Sequence, residues 1–365
     1  MTAKTASPGK GSLLSRIVKN QIFIPIAALL VLTIFNLIVD PSFFEITLKP
    51  SSEGYRIFSG NVISILDYGS ELAILAIGMT LVTASSRGQD ISVGAVMAIS
   101  GSVVLRVLCG TNSHPDSLQS SIIVAFLISC LVAMAFGAFN GILVSVFNIQ
   151  PMVATLILFT AGRSIAAWIN NNELPVVHDK TFWAFGNVFS GVPIPTPIFI
   201  AILCFIATAL LLKFTTLGLY VQSVGINEKT SRLNGLNPAL IKFITYVLLG
   251  VCVAVAGFIK VSRIETINYS VIAKDIEMDA ILAVALGGNS LGGGKFNITA
   301  SVLGAYVIQF LTTTLYKLQV NSEALPAYKA VVVIVLVILS APVVREKTAA
   351  FFRKLRAPKN AESKG

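Results

Sequence analysis

Apolar runs of about 12 to 27 residues, separated by short polar breaks, fill nearly all of the chain between residues 22 and 342. Ten runs stand out: 22–39, 62–86, 91–108, 121–147, 152–169, 194–212, 241–261, 277–288, 298–316 and 328–342. A helix needs about 20 apolar residues to cross the hydrocarbon core of a bilayer. The pattern therefore predicts an all-α, polytopic membrane protein with about ten transmembrane helices. The run 277–288 is short, and the run 62–86 opens with Asp67 and Glu71. Short, glycine-interrupted segments of this kind are where transporters place non-helical backbone at membrane depth. No stretch between runs exceeds about 30 residues, too little to bury a core of its own.

Between the second and third runs stands Arg87-Gly88-Gln89-Asp90, followed by Ile91-Ser92-Val93-Gly94, with no other charge for about fifteen positions on either side. Ionisable residues at a bilayer are costly and mark a substrate path or a mechanical joint. The plain alternative is a solvated turn between two spans. Inside the fourth run, Gly137-Ala138-Phe139-Asn140-Gly141 is a small-xxx-small pattern that lets helices approach closely. Asn140 there either hydrogen-bonds across the contact or is carried along by plain packing. Pro151 breaks the helix after Ile149-Gln150, joining runs four and five by a tight turn, with Gln150 and Thr155 as hydrogen-bonding groups at an inner mouth. Arg163, inside the fifth run, either snorkels outward or faces a cavity and pairs with an acid. Asp275, Glu277 and Asp279 open the eighth run on the outer side. There they are a charged helix start or, aligned at an entrance, a receiver of hydroxyl-rich or cationic solutes.

The longest polar inner loop is 213–240. Within it, 227–233 has the length of about two helical turns, with Asn227 as the cap, Gly235 as the stop and Pro238 opening the next span. Leu233 and Leu236 give an apolar edge beside Glu228, Lys229 and Arg232. A short amphipathic helix of this kind docks into a partner's groove, or simply ties two spans together.

Only 12% of the 365 residues are charged, yet the net charge is +10. About 25% is usual for soluble domains. The basic residues gather at the termini and in one central loop, with no interleaved aromatics, so they set orientation and do not bind nucleic acid. With the N-terminus inside, ten spans place the C-terminus inside as well. Lys or Arg at 4, 10, 16, 19, 87, 213, 229, 232, 242, 295, 345, 347, 353, 354, 356, 359 and 364 then falls on the inner side, 17 of 27 in all. The outer loop 170–193 carries Lys180 against Glu173 and Asp179, and outer Lys260, Arg263 and Lys274 are balanced by Glu265, Asp275 and Glu277. The first run ends in Asp40-Pro41 without an A-x-A-like site, so it reads as a retained span.

Several chemistries are excluded. Cys109, Cys130, Cys204 and Cys252 lack paired spacing, and His114 and His178 sit in separate loops, so neither a disulfide framework nor a metal site is expected. Gly287–Phe296 fails as a phosphate loop: Asn289 stands where glycine is required, and Phe296 follows Lys295 where Ser or Thr is required. No H-E-x-x-H or G-x-S-x-G motif occurs, so catalysis is not expected.

Taken together, the chain resembles the sugar-type inner-membrane permeases of bacterial ABC importers, the ribose and galactofuranose group. The runs that carry the resemblance are Ala76–Val82, Asp90–Met97, Phe139-Asn140-Gly141, Ile149–Arg163, Val224–Asn227, Arg232–Gly235 and Asp279–Gly294. The family pattern Gly-Gly-Ile-Asp-Leu-Ser-Val-Gly is met by Arg87–Gly94, with Asp90, Ser92 and Gly94 kept and Arg87 and Gln89 departing. The resemblance implies a type II ABC importer permease-like fold. Its domains would be a basic cytoplasmic tail 1–20, a transmembrane domain 21–342 with a coupling loop 213–240, and a basic cytoplasmic tail 343–365. It implies a permease dimer with a second copy or a paralogue, cytoplasmic ATPase subunits, a periplasmic sugar-binding protein and surrounding membrane lipid. ATP is used by the partner subunits, and this chain binds no cofactor. The location implied is the bacterial inner membrane, with both termini cytoplasmic. A small ribose- or galactofuranose-like monosaccharide would pass down a dimer-interface pathway by alternating access. The pathway candidates are Asp90, Ser92, Asn140, Gln150, Thr155, Arg163, Glu277 and Asp279. The ATPase-coupling candidates are Asn227, Glu228, Lys229, Arg232, Leu233, Asn234 and Gly235. The alternative is an ion-coupled secondary transporter of a small polar solute, for which Asp90 is the one good coupling acid.

Overall fold

A computed structural model describes residues 21–50, 56–115 and 117–340; the expected tails 1–20 and 343–365 lie outside the described residues. In chain order come α1 (Phe23–Val39), a 3-10 turn (Pro41–Phe44), the strands β1 (Thr47–Pro50) and β2 (Arg56–Ser59), α2 (Asn61–Ser86), α3 (Val93–Cys109), α4 (Ile122–Ser145) and α5 (Pro151–Ile169). They are followed by α6 (Lys180–Gly186), α7 (Thr196–Phe214), α8 (Leu217–Ile226), α9 (Glu228–Leu233), α10 (Pro238–Ile264), α11 (Ile276–Leu286), α12 (Ile298–Lys317) and α13 (Leu325–Ser340). The ten apolar runs correspond one for one to α1–α5, α7 and α10–α13. Six of these, α2, α4, α5, α7, α10 and α12, are long and apolar enough to cross a membrane unaided. The fold class is the expected one, with one addition: β1 and β2 pair antiparallel from Thr47↔Ser59 to Pro50↔Arg56. Strands of four residues carry too little alternation to show in a sequence.

The bundle has two ends. The hairpin end collects β1–β2, α6 and the chain after α12. The joint end collects residues 87–92, the turn before Pro151, α8–α9 and the glycine-rich stretch after α11. At the hairpin end Phe43 stacks on Phe310 with ring centroids 5.6 Å apart, fastening the start of the chain to α12. In the core, α2 is buried from Gly69 to Ser86. α4 and α10 cross where side chains are absent: a Cβ on Gly137 would lie 2.5 Å from the Tyr246 carbonyl oxygen, and one on Gly250 2.6 Å from that of Ala133. This is the close approach predicted from the small-xxx-small pattern. Along α1, α4 and α7, Leu30, Ile38, Leu131 and Leu203 stand exposed, apolar surface of the kind a bilayer accommodates.

The eighth run is not a full crossing. α11 has 11 residues, about 16 Å at 1.5 Å per residue, against a hydrocarbon core of about 30 Å. It also starts deep. A Cβ on Gly94 would overlap Glu277 Oε2 and lie 2.6 Å from the Ala273 carbonyl oxygen. Gly94 opens α3, and that opening shares a small cavity with Leu249, Gly250 and Val253 in the middle of α10. The chain from Glu265 to Asp275 therefore re-enters from the hairpin end without helix, and α11 completes the crossing from mid-depth. Glu277 thus sits against Gly94 at mid-depth, well below an outer rim. Irregular backbone at such depth survives only when buried in protein or lining a cavity. Here Arg163 Nη1 donates to the carbonyls of Tyr269 and Ile272, each at 2.8 Å.

Candidate functional site

Two polar constructions stand out, one at each end. At the joint end α2 stops at Arg87, a left-handed residue (φ 58°) whose N–H bonds the Thr83 carbonyl. Its side chain reaches out to another element: Nε donates to the Gly225 carbonyl at 2.8 Å and Nη2 to that of Ile226 at 2.6 Å. A guanidinium on the last carbonyls of α8 satisfies orphan acceptors and meets the negative end of that helix. Gln89 Nε2 donates to the Leu291 carbonyl at 3.2 Å, and the N–H of Gly294 to that of Ala84 at 2.9 Å. Arg87 and Gln89, the two departures from the family pattern, thus tie the joint to α8 and to the glycine-rich stretch.

Asp90 is 3% exposed, which overturns the solvated-turn alternative. Its Oδ1 accepts from the Ser92 N–H (2.7 Å) and Oγ–H (2.6 Å), and Oδ2 from Asn140 Nδ2 (3.2 Å). Asn140 Nδ2 also reaches Ser92 Oγ at 2.9 Å, so Asn140 does bond across the helix contact. Thr155 Oγ1 accepts the Ile91 N–H at 3.2 Å, and a Cβ on Gly88 would lie 2.6 Å from the Pro151 ring. The cavity bordering Asp90 and Asn140 holds about 10 Å³, room for one water at most. Asp90 therefore organises a joint in this state and touches no solute of monosaccharide size. Gln150 is exposed and outside the cluster.

Beyond Arg87 the loop 213–240 forms the expected short helix and adds a second one. Asn227 Oδ1 caps α9 by accepting the Thr230 N–H at 3.1 Å, Gly235 leaves it with φ 80°, and Asn237 caps α10 with Pro238 at its first position. Glu228 holds Lys242 at 2.7 Å and Arg232 at 3.7 Å. Leu233 is 89% exposed. The helix α8 was not foreseen, because Gly218 and Gly225 break its apolar pattern. Gly225 is required: a Cβ would overlap the Ala84 carbonyl oxygen and lie 2.5 Å from the Gly294 nitrogen.

Toward the hairpin end a chamber of about 910 Å³ opens between α2, α10, α11 and α12, with Ile272, Ala273, Lys274 and Ile276 among the residues that line it. Its wall carries Glu71, Lys260, Asn268, Asp279, Gln309 and Thr312. Buried Glu71 meets Lys260 (Oε2–Nζ 3.2 Å) and Arg263 (Oε1–Nη1 3.0 Å, an ion pair off hydrogen-bond alignment). Arg263 also binds Asp67 at 2.8 Å and lies 4.2 Å over the Tyr68 ring. On the other side Lys329 binds Asp279 at 2.7 Å. At the rim Lys317 meets Asp40 at 3.0 Å; the bond from Ser42, then Lys317, holds the Asp40 carboxyl below its ordinary range. The pathway candidates thus separate. Asp90, Ser92, Asn140 and Thr155 form the joint, Arg163 and Glu277 support the interrupted helix, and Asp279 lines the chamber. The quartet Asp67, Glu71, Lys260 and Arg263 was missed. Its signal was present as two acids one turn apart opening run two, and two bases one turn apart closing run seven.

The family described as branched-chain amino acid transport system / permease component matches residues 61–341. The chain is 38% identical over 314 residues to the galactofuranose transporter permease protein YtfT of Escherichia coli (strain K12), covering 86% of this chain and 88% of that one. It is 33% identical over 356 residues to the fructose import permease protein FruF of Bifidobacterium longum (strain NCC 2705), covering 96% of each. It is 33% identical over 315 residues to the ribose import permease protein RbsC of Escherichia coli (strain K12), covering 86% of this chain and 91% of that one.

Proposed function

This chain belongs to the family of branched-chain amino acid transport system / permease components, and from that premise we propose that it is the transmembrane permease subunit of a binding-protein-dependent, ATP-driven sugar importer. The cargo is a small monosaccharide, as the names of three near-full-length relatives indicate for those proteins. The observation that carries the reading is the polar chamber ending on an interrupted helix. It gives a hydroxyl-rich solute a place to dwell and a non-helical gate below it. Family membership speaks for a transporter component and against an enzyme. The family's description mentions amino acids; three relatives named for sugars favour a sugar as the cargo of this chain. The ion-coupled alternative loses its acid, because both oxygens of Asp90 are engaged by Ser92 and Asn140.

The finer picture follows from the same premise. The chain lies in the bacterial inner membrane with the joint end, and both termini, facing the cytoplasm. It pairs with a second permease chain. A periplasmic sugar-binding protein delivers cargo to the hairpin end, and ATPase subunits grip the 213–240 loop at the other. ATP-driven closure would pull α9, and the Arg87 bonds to α8 carry the movement to the joint beside Asp90. Uptake of D-ribose, D-fructose and D-galactose into vesicles holding the whole transporter tests the function. ATP-dependent accumulation of at least one sugar is expected. Uptake that persists without ATP and collapses with an ion gradient would establish the secondary transporter instead.

The coupling role has its own test. Leu233 is nearly fully exposed, while Glu228 is engaged with Lys242, so Leu233→Asp alters the docking edge without disturbing an internal ion pair. Co-purification of the ATPase is expected to fall at least about tenfold, the loss of one well-buried apolar anchor, with membrane insertion unchanged. Undiminished co-purification would assign α9 to simple span-tying.

A further inference from the structure

We infer that the small cavity between Asp90, Asn140 and Tyr246 is a binding site for one sodium ion, held by oxygens from three elements of the joint. The ion resides there and neutralises Asp90. It is neither cargo nor driving ion, so the site is independent of which solute the transporter carries.

A buried carboxylate such as that of Asp90 is neutralised by a basic partner, a metal ion or a proton. Among the described residues no Lys, Arg or His forms an ion pair with it. The nearest base along the chain, Arg87, donates from Nε and Nη2 to the carbonyls of Gly225 and Ile226 instead. The N-terminus of α3 supplies about half a positive charge at most. A proton fits poorly, because an acid O–H needs an acceptor and Asp90 meets donors. The Ser92 N–H and Oγ–H bond Oδ1, and Asn140 Nδ2 bonds Oδ2. An ionised carboxylate offers about four acceptor positions. Two are taken on Oδ1 and one on Oδ2, which leaves the second position on Oδ2 for a cation.

The surrounding oxygens and the space agree. The cavity, with Asp90, Ser92, Asn140 and Tyr246 on its wall, holds about 10 Å³, the lower limit for one water. Sodium is smaller than water, whereas potassium is about as large. Asn140 Oδ1 and the Tyr246 hydroxyl are both buried with no hydrogen-bond partner among the described residues. Two such oxygens beside one carboxylate make an all-oxygen donor set with a single negative charge. Hard cations take oxygen ligands, and one negative charge is balanced by a monovalent ion. A softer metal finds no ligands here, since no group of three His, Cys, Asp or Glu residues occurs among the described residues. The oxygens come from the α2–α3 turn, from α4 and from α10. A bound ion therefore ties together the three elements that meet at the joint.

The test is equilibrium binding of radioactive sodium to the whole transporter in detergent, with choline as the background cation. The wild type is expected to bind one more ion per permease chain than Asp90→Asn, and an excess of potassium should not displace it. Tyr246→Phe removes a hydroxyl without a partner and should leave the fold intact. It should weaken sodium binding at least about tenfold, a loss typical even of outer-shell partners of a metal. Asp90→Asn combined with Asn140→Asp moves the charge to the other side of the cavity and should restore binding. Sodium should also raise the unfolding midpoint of the wild type above its value in potassium or choline at equal ionic strength, and should not do so for Asp90→Asn. Equal midpoints in the three salts, with no sodium bound that depends on Asp90, would overturn the inference and leave the cavity to a water or Asp90 to a proton. Sodium binding unchanged by Asp90→Asn places the ion elsewhere and overturns it too. If Asp90→Asn does not fold, Tyr246→Phe decides alone, and an unchanged sodium affinity sinks the site. Solute uptake that collapses with a sodium gradient would make the ion a driver and overturn its resident role.

Discussion

Gly225→Ala is expected to lower ATP-driven sugar uptake at least a hundredfold while the chain still inserts into the membrane. The added methyl meets backbone, the carbonyl oxygen of Ala84 and the nitrogen of Gly294, which no rotamer change can move aside. The end of α8 must therefore lift away from the end of α2. Overpacking of this kind costs about 1–3 kcal/mol. The displacement also stretches the two Arg87 bonds to Gly225 and Ile226, and hydrogen bonds from a charged donor are worth about 1.5–3 kcal/mol. Together these terms span about 5.5 kcal/mol, the shift that takes an arrangement populated 99:1 to 1:99. Gly218→Ala in the same helix is the control. Its nearest neighbour would be Leu212 Cδ2 at 3.5 Å, an ordinary contact, and alanine is the better helix former by about 1 kcal/mol. Normal uptake by Gly218→Ala and near-zero uptake by Gly225→Ala would locate the effect at the joint. Equal uptake by both would show that α8 and α2 move independently.

What the sequence disclosed about this machine follows a physical division. Hydropathy reports burial in lipid, so all ten apolar segments were visible. Caps are local, so Asn227 and Gly235 bounded α9 correctly and Pro238 marked the start of α10. The isolation of Arg87–Asp90 marked a buried polar centre, because ionisable groups with no other charge for about fifteen positions on either side are too costly to keep without partners. Depth was not visible. The twelve residues 277–288, with Glu277 and Asp279 among them, look like a poor span, and nothing local says that the preceding ten residues descend beside α3 before the helix starts. Partnership across the bundle was equally hidden. Glu71 and Lys260 are 189 positions apart and meet because α2 and α10 run antiparallel through the core. The same holds for Arg87, which departs from the family pattern with no local sign of what it meets. The departure is a change in the fastening of α8, as the bonds to Gly225 and Ile226 show. Local rules therefore located the joint and the short helix α9, and the tertiary arrangement was needed to join them and to assemble the chamber.

If Asp90 organises that joint, its removal should be severe and its exchange with Asn140 should be mild. Asp90→Ala strips the acceptor from the Ser92 N–H and from Asn140 Nδ2 in a region where Asp90, Ser92 and Asn140 are each at most 3% exposed. Each orphaned buried donor costs about 1–3 kcal/mol, so a loss of roughly 2–6 kcal/mol is expected, enough to lower the unfolding midpoint in detergent by several degrees and to abolish uptake. Asp90→Asn keeps an oxygen for Ser92 but turns an amide toward the amide of Asn140, donor against donor. That variant should lose uptake about tenfold or more. Combining it with Asn140→Asp restores opposite roles: Asn at 90 donates, Asp at 140 accepts, and the Ser92 N–H keeps its partner. Only the contact from position 140 to Ser92 Oγ is lost. The double variant should therefore recover most of the uptake and midpoint lost by Asp90→Asn alone, a coupling that two independent surface residues cannot produce. Additive losses in the double variant would mean that Asp90 acts through its charge on something passing by, and that the joint is held by its glycines and by Arg87 alone.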